Sequence, residues 1–340
     1  MKKNERAPEL SGGPWLNSEP LSIAELRGKV VLVDFWTYTC INCLRTLPYL
    51  KEWHRRYAPD GLVVIGVHSP EFVFERNPEN VKDFLIRNEI EYPVVLDNDY
   101  KIWSAYANRY WPHHYFADKN GYIAYDHIGE GDYERSELVI QALLQNANPK
   151  LAFPAVSRIT KETEDGAVCS PVSTELYVGF ARGSIGNPVG LTGNKPQQYV
   201  DGGTHDEGLF YLSGTWLEAP DYARHMGTGG VEGAISIHYR GLEVNAVMGP
   251  WAKGRSFKAR VTRDGARLPK NAWGADIQEN EEDPFVLVDS PRMYRVVEET
   301  VYGEHDLTLH IGSDQMTIYA FTFGSCIVPQ TIREEQRKIA

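Results

Sequence analysis

Long apolar runs are missing from this chain. The longest, Val30 to Trp36, is interrupted by Asp34 and falls far short of the roughly 20 residues that a helical membrane span needs. Membrane insertion is therefore not expected. Basic residues are scarce as well: 35 Lys and Arg stand against 46 Asp and Glu, a formal net charge of -11. Nucleic acid and anionic lipid both demand a basic face, so neither is an expected partner. Cysteine is sparse. Four in 340 residues cannot staple a fold of this size, and chemistry is the expected use of the closely spaced Cys40 and Cys43. The basic N-terminus, with Lys2, Lys3 and Arg6, is followed by Ala7-Pro8-Glu9-Leu10-Ser11-Gly12-Gly13-Pro14 in place of an apolar signal core. The direct expectation is a cytoplasmic location.

What is present is an ordinary globular composition, 42% hydrophobic and 24% charged, in a chain long enough for two domains. Up to about residue 145 the patterns alternate. Lys29 to Trp36 and Gly61 to His68 are short, valine-rich runs that predict buried strands. Residues 40 to 57 repeat at helical spacing, with Leu44, Leu47, Leu50 and Trp53 on one face. Helical spacing returns at 80–89, 100–107 and 134–145, and Tyr92 to Leu96 reads as extended. Tyr115 to Ala117 and Tyr122 to His127 flank Asn120-Gly121, a strong hairpin signal. The expected first domain, 1–148, is thus a mixed sheet covered by helices. Residues 149–168 read as a linker with Pro149 and Pro154. Beyond it come short alternating segments such as 234–239, 242–247 and 316–323. They predict an all-β, jelly-roll-like sandwich over 169–330, with a tail at 331–340.

Cys40-Ile41-Asn42-Cys43 falls where a buried strand gives way to a helix. A helix N-terminus presents unpaired N–H groups and a partial positive charge, which favour thiolate over thiol. In that setting Cys40 is the expected nucleophile toward a disulfide, and Cys43, one turn on, the resolving thiol. Half a zinc site and two merely structural cysteines are the other readings of a Cys-x-x-Cys. Cys169 and Cys326 are isolated and no second closely spaced pair exists, so neither metal nor cofactor is expected.

Val33-Asp34-Phe35-Trp36-Thr37-Tyr38-Thr39-Cys40-Ile41-Asn42-Cys43 resembles the active-site segment of thioredoxin-fold proteins. That resemblance implies three further matches. Asp34 stands where the buried carboxylate relays protons to the resolving cysteine, and Pro48 stands at the proline inside the active-site helix. Trp111-Pro112 stands at the cis-proline that faces bound substrate, so Trp36, Trp111 and Pro112 are implied on the substrate side. His68-Ser69-Pro70-Glu71-Phe72, Leu96-Asp97-Asn98-Asp99-Tyr100 and Arg109 to Tyr115 narrow the likeness to TlpA-like redoxins. The whole chain resembles the C-terminal part of DipZ-type proteins, in which such a redoxin precedes a sandwich similar to carbohydrate-binding modules. Gly214-Thr215-Trp216 and Phe321 to Cys326 agree with that second domain. The implied function is thiol–disulfide exchange on protein substrates. The implied partners are an electron donor (thioredoxin-reductase-like, or a membrane thiol conduit) and a glycan or protein ligand for the sandwich. The family also offers an extracytoplasmic alternative to the cytoplasmic reading.

Several departures matter. Thr39 stands where thioredoxin has Trp, Ile41-Asn42 where it has Gly-Pro, and Thr46 where some TlpA-like reductases carry Glu. Proton handling therefore falls to Asp34, since burial disfavours the charged form of a carboxylate. A peroxidase is the first alternative, because Thr37 fits the Pro-x-x-x-Thr-x-x-Cys pattern, although Val33 replaces its proline. A binding module with a vestigial redox domain is the second. Four weaker expectations remain. His113 and His114, beside Pro112, border the substrate groove, or one of them faces solvent, since the two alternate across a strand. Glu71 and Phe72 rim the groove or cap a loop. Trp216, Trp251 and Trp273 are core residues or a sugar platform. Cys169 and Cys326 either bridge or stay free and buried.

Overall fold

The computed structural model describes residues 5–159, 168–227, 232–279 and 283–327. The chain divides into two compact units, Met1–Asp165 and Gly166–Ala340. The first unit is a thioredoxin-like fold. Its strands are β1 (Trp15–Leu16), β2 (Val30–Trp36), β3 (Leu62–His68), β4 (Val94–Leu96), β5 (His113–Ala117) and β6 (Ile123–Ile128), in the sheet order β1-β4-β3-β2-β5-β6. Its helices are α1 (Ile41–Tyr57), α2 (Pro78–Arg87), α3 (Lys101–Ala105) and α4 (Tyr133–Ala147). The parallel trio β2, β3 and β4 is almost wholly apolar, broken by Asp34 and His68, because both faces are covered. Antiparallel β5 and β6 follow beside β2. Side chains at 30, 32 and 36 pack with Leu47, Leu50 and Trp53 of α1 and Ile140 and Leu144 of α4. Those at 31, 33 and 35 pack with Ile65, Val67, Ile102 and Tyr106 on the other face.

Two differences from the sequence expectation concern burial. His113 and His114 alternate across β5, yet both are buried, because β5 is an interior strand between β2 and β6. The described part of the segment read as linker lies against the first unit. Leu151 and Phe153 pack on its core, and the Ser157 N–H and hydroxyl donate to Glu137 at 2.7 and 3.2 Å. Residues 160–167 and the expected tail 331–340 lie outside the described residues.

The second unit is strand-rich with few helices, in keeping with a β-sandwich. Its strands are β7 (Val168–Cys169), β8 (Leu176–Tyr177), β9 (Pro196–Tyr199), β10 (Phe210–Glu218), β11 (Ala223–His225), β12 (Gly233–Pro250), β13 (Phe257–Arg263), β14 (Ala266–Arg267), β15 (Ile277–Glu279), β16 (Pro284–Val288), β17 (Arg292–Ile311), β18 (Met316–Gly324) and β19 (Cys326–Ile327). The segments 234–239 and 242–247 belong to one strand, β12, whose register against β17 shifts between Gly241 and Glu243. The irregularity that reads as a break in sequence is a bulge in the fold. β12 pairs with β10 along its first half and with β18 along its second, around a core that includes Tyr199, Trp216, Tyr239 and Tyr294.

Candidate active site

The last residues of β2 and β3 and the first of β5 meet at one end of the sheet, since Trp36 pairs with His68 and Phe35 with His113. Three connections converge there. Residues 37–40 lead from β2 into α1, residues 69–76 leave β3, and Trp111-Pro112 enters β5 through a cis bond. Side chains tie the three together. Thr39 donates to Glu75 at 2.6 Å, Thr37 lies 3.3 Å from His68 Nε2, and Trp111 Nε1 donates to the Ser69 carbonyl at 3.1 Å.

Cys40 is the N-cap of α1, and its sulfur accepts the Cys43 N–H at 3.2 Å. Cys40 is partly exposed and Cys43 wholly buried, both as free thiols. Burial holds the Cys43 thiol well above its ordinary pKa, and its hydrogen bond to Cys40 raises it further. Asp34 on β2 is also wholly buried, close enough for its charge to act on Cys43 and on the Tyr92 phenol. His114 Nε2 lies 3.2 Å from Asp34 Oδ1.

Trp36 requires a correction. It is 0% exposed, set edge-on to His68 at 5.3 Å and against Phe84. It is a core side chain and cannot touch a substrate. Trp111 is half-buried, with its ring 4.4 Å from Trp103, and Pro112 is buried. Of the two residues that could rim the groove, Phe72 is buried, while Glu71 gives its N–H to Glu75 at 2.6 Å. Thr37 is enclosed beside His68.

Sequence reasoning passed over Glu75. This carboxylate is 0% exposed, and its other oxygen accepts the N–H groups of Glu71 and Phe72. Burial pushes its pKa up to about 7, against the pull of the Thr37 and Thr39 hydroxyls. A lone Glu behind Phe72-Val73-Phe74 carries no local signal. His68 is a second buried titratable group, held down to about 3 by desolvation. His113 is held down to about 4 by burial, opposed by Asp126 at 3.0 Å.

In the second unit Trp216 is wholly buried, and Trp273 is half-buried with its Nε1 donating to Leu268 O. Trp251 is 49% exposed under the Arg224 guanidinium. Trp216 therefore belongs to the core and not to a sugar platform. Cys169 is exposed and disulfide-bonded, and its partner in the β7–β19 ladder is Cys326. The free, buried reading fails for Cys169. Among the described residues no group of three or more His, Cys, Asp or Glu is placed to hold a metal.

Residues 4–126 match the AhpC/TSA family, and residues 173–324 match the thioredoxin-like C-terminal domain family. Protein DipZ of Mycobacterium bovis is 38% identical over 282 residues, 77% of this chain. The chain spans only 37% of that relative's length. Thiol-disulfide oxidoreductase YkuV of Bacillus subtilis is 29% identical over 145 residues, 42% of this chain and 97% of YkuV. Thiol-disulfide oxidoreductase ResA of Bacillus cereus is 27% identical over 128 residues, 38% of this chain and 71% of ResA. With the fold and the cysteine pair described above, these likenesses support a TlpA-like redoxin, similar over its first unit to the thiol-disulfide oxidoreductases YkuV and ResA.

Proposed function

We propose that the chain exchanges disulfides in other proteins through the Cys40–Cys43 dithiol. The observation that carries this reading is the asymmetry of two thiols on one helical turn. Cys40 is reachable at the N-cap, while Cys43 is enclosed and held protonated. Cys40 attacks a substrate disulfide beside Trp111 and Pro112 and forms a mixed disulfide. Cys43, giving its proton to Asp34, then closes the Cys40–Cys43 bond and expels the reduced substrate. The enclosed thiol is poorly placed for the first attack, which supports this order of the steps.

The second unit serves on this reading as a docking surface for a protein or glycan ligand. An electron donor, thioredoxin-reductase-like or a membrane thiol conduit, restores the dithiol. No described helix is long and apolar enough to cross a membrane. Disulfides persist in oxidising compartments, so the bonded state of Cys169 favours the extracytoplasmic alternative over the cytoplasmic one.

Trapping tests the central claim. Cys43→Ser should accumulate covalent adducts with substrate proteins that dissolve under reductant, and Cys40→Ser should accumulate none. Equal trapping by both variants, or by neither, would rule out the assigned roles.

A further inference from the structure

Asp34, His114 and His127 stand in one row across three neighbouring strands. The register pairs Asp34 on β2 with His114 on β5, and His114 with His127 on β6. Residues paired across strands share a face, so the three side chains lie on one side of the sheet. On the far side of Asp34 the register partner on β3 is Gly66, which adds no side chain. The row therefore starts at Asp34, beside Cys43, and ends on β6, the edge of the sheet. Burial falls along it. Asp34 and His114 are 0% and 1% exposed, and His127 is half-buried.

His114 Nε2 is within ion-pair reach of Asp34 Oδ1, at 3.2 Å, but is not aligned for a linear hydrogen bond. The His114 and His127 rings are 26° from parallel with centroids 6.2 Å apart. Both Asp34 oxygens, both His114 nitrogens and His127 Nε2 are buried without a hydrogen-bond partner among the described residues. Buried polar atoms are normally locked by partners. Side chains not locked by partners are free to turn into hydrogen-bond reach of one another, as handing a proton from the neighbour of a buried thiol toward the sheet edge requires.

We propose that the proton leaving Cys43 travels along this row, from Asp34 through His114 and His127 to solvent, which makes the two histidines positioning residues for the release step. The proposal rests on the dithiol reading above. As the Cys43 S–H gives its proton to Asp34, the Cys43 sulfur bonds to Cys40, and the bond from Cys40 to the substrate sulfur breaks. The substrate leaves as a thiolate and takes a proton from water, while the row returns one to water. The electron pair that reduces the substrate comes from the two cysteine sulfurs.

The groups facing the row are few. Cys43 faces it from α1 and the Tyr92 phenol from the segment before β4. The Glu130 carbonyl and the Asp132 carboxylate, from the connection into α4, act on His127. Asp126 also acts on His127, but it alternates to the other face with its partner His113. Desolvation holds His127 below its ordinary value, so it is neutral near pH 7.

The test follows thionitrobenzoate release in stopped flow when the reduced chain meets dithiobis-nitrobenzoate. The first phase reports attack by Cys40 and the second reports release by Cys43. His127→Ala, at the sheet edge, should keep the first phase and slow the second about ten-fold at neutral pH, a share of the usual acid–base contribution. Added imidazole should restore that phase, and it should fail to do so in Asp34→Asn. His114→Gln should slow the second phase at least as much. An unchanged second phase in His127→Ala, equal slowing of both phases, or slowing that imidazole does not relieve would overturn the relay. Absence of two phases in the unaltered chain would instead overturn the dithiol reading.

Discussion

The Thr39 hydroxyl donates to the Glu75 carboxylate at 2.6 Å, tying the residue before the first cysteine to a wholly enclosed side chain. This makes the connection between β2 and α1 depend on a second connection, 69–76, that carries no sulfur chemistry of its own. It also puts a group that titrates near neutrality one residue from the nucleophile.

Glu75 predicts a pH dependence of stability. Its carboxyl goes from 4.5 to about 7 on folding, so between those values the folded chain binds more protons than the unfolded one. Stability then falls as pH rises through the window, by a total of about 3 kcal/mol for this group. His68 and His113, depressed to about 3 and about 4, act with the opposite sign as pH falls below 6.5. Comparing urea unfolding of the unaltered chain and Glu75→Gln isolates the carboxyl. The variant should gain on the unaltered chain steadily from pH 4.5 to 7.5. Parallel profiles would show that Glu75 does not titrate there.

The two cysteines should differ in alkylation. Cys40 is partly exposed, while Cys43 is buried and held above its ordinary pKa. Iodoacetamide at pH 7 should label Cys40 faster than Cys43 by about ten-fold or more, because the thiolate is the reacting species. Peptide mass spectrometry reads the ratio. In denaturant the difference should vanish.

Asp34→Asn keeps the size of the side chain but removes the base beside Cys43. Release of the mixed disulfide should slow by about a hundred-fold, the low end of general-base contributions, with its formation nearly unchanged. Equal slowing of both steps would mean that Asp34 acts on the fold and not on the proton.

Glu137 on α4 is wholly buried. It accepts from Trp53 Nε1 at 3.1 Å, the Tyr57 hydroxyl at 2.6 Å and the Ser157 N–H at 2.7 Å. Glu137→Gln leaves one oxygen for these donors and should cost about 2–4 kcal/mol in urea unfolding, the usual penalty for stranding buried donors of a charged acceptor. Cleavage by trypsin at Arg158 should accelerate, since Ser157 loses its anchor. A change below about 0.5 kcal/mol, within the range of a neutral surface substitution, would refute the anchoring role.

Much of the first unit was legible in sequence, because periodicity and capping are local. The run of β2, the helical spacing of α1 and the place of Cys40 between them are written in consecutive residues, and the structure gives the strand as Val30–Trp36 and the helix as Ile41–Tyr57. β1 was not legible. At two residues, Trp15–Leu16, it is too short for a period, and its pairing with β4 is with residues 94 and 95. In the second unit the continuity of β12 past Gly241 was equally hidden, since a bulge and a turn look alike without the partner strand.

The order of β2, Cys40 and α1 was thus the sequence's own determination. Tertiary structure alone decided the fate of polar and aromatic side chains. Trp36 and Trp111 carry the same side chain, yet one is enclosed by the packing of His68 and Phe84 while the other stays half-buried. Glu75, His114 and His127 acquire their surroundings from strands and loops remote in the chain. Desolvation depends on what covers a group, and no neighbouring residue in the sequence encodes that cover.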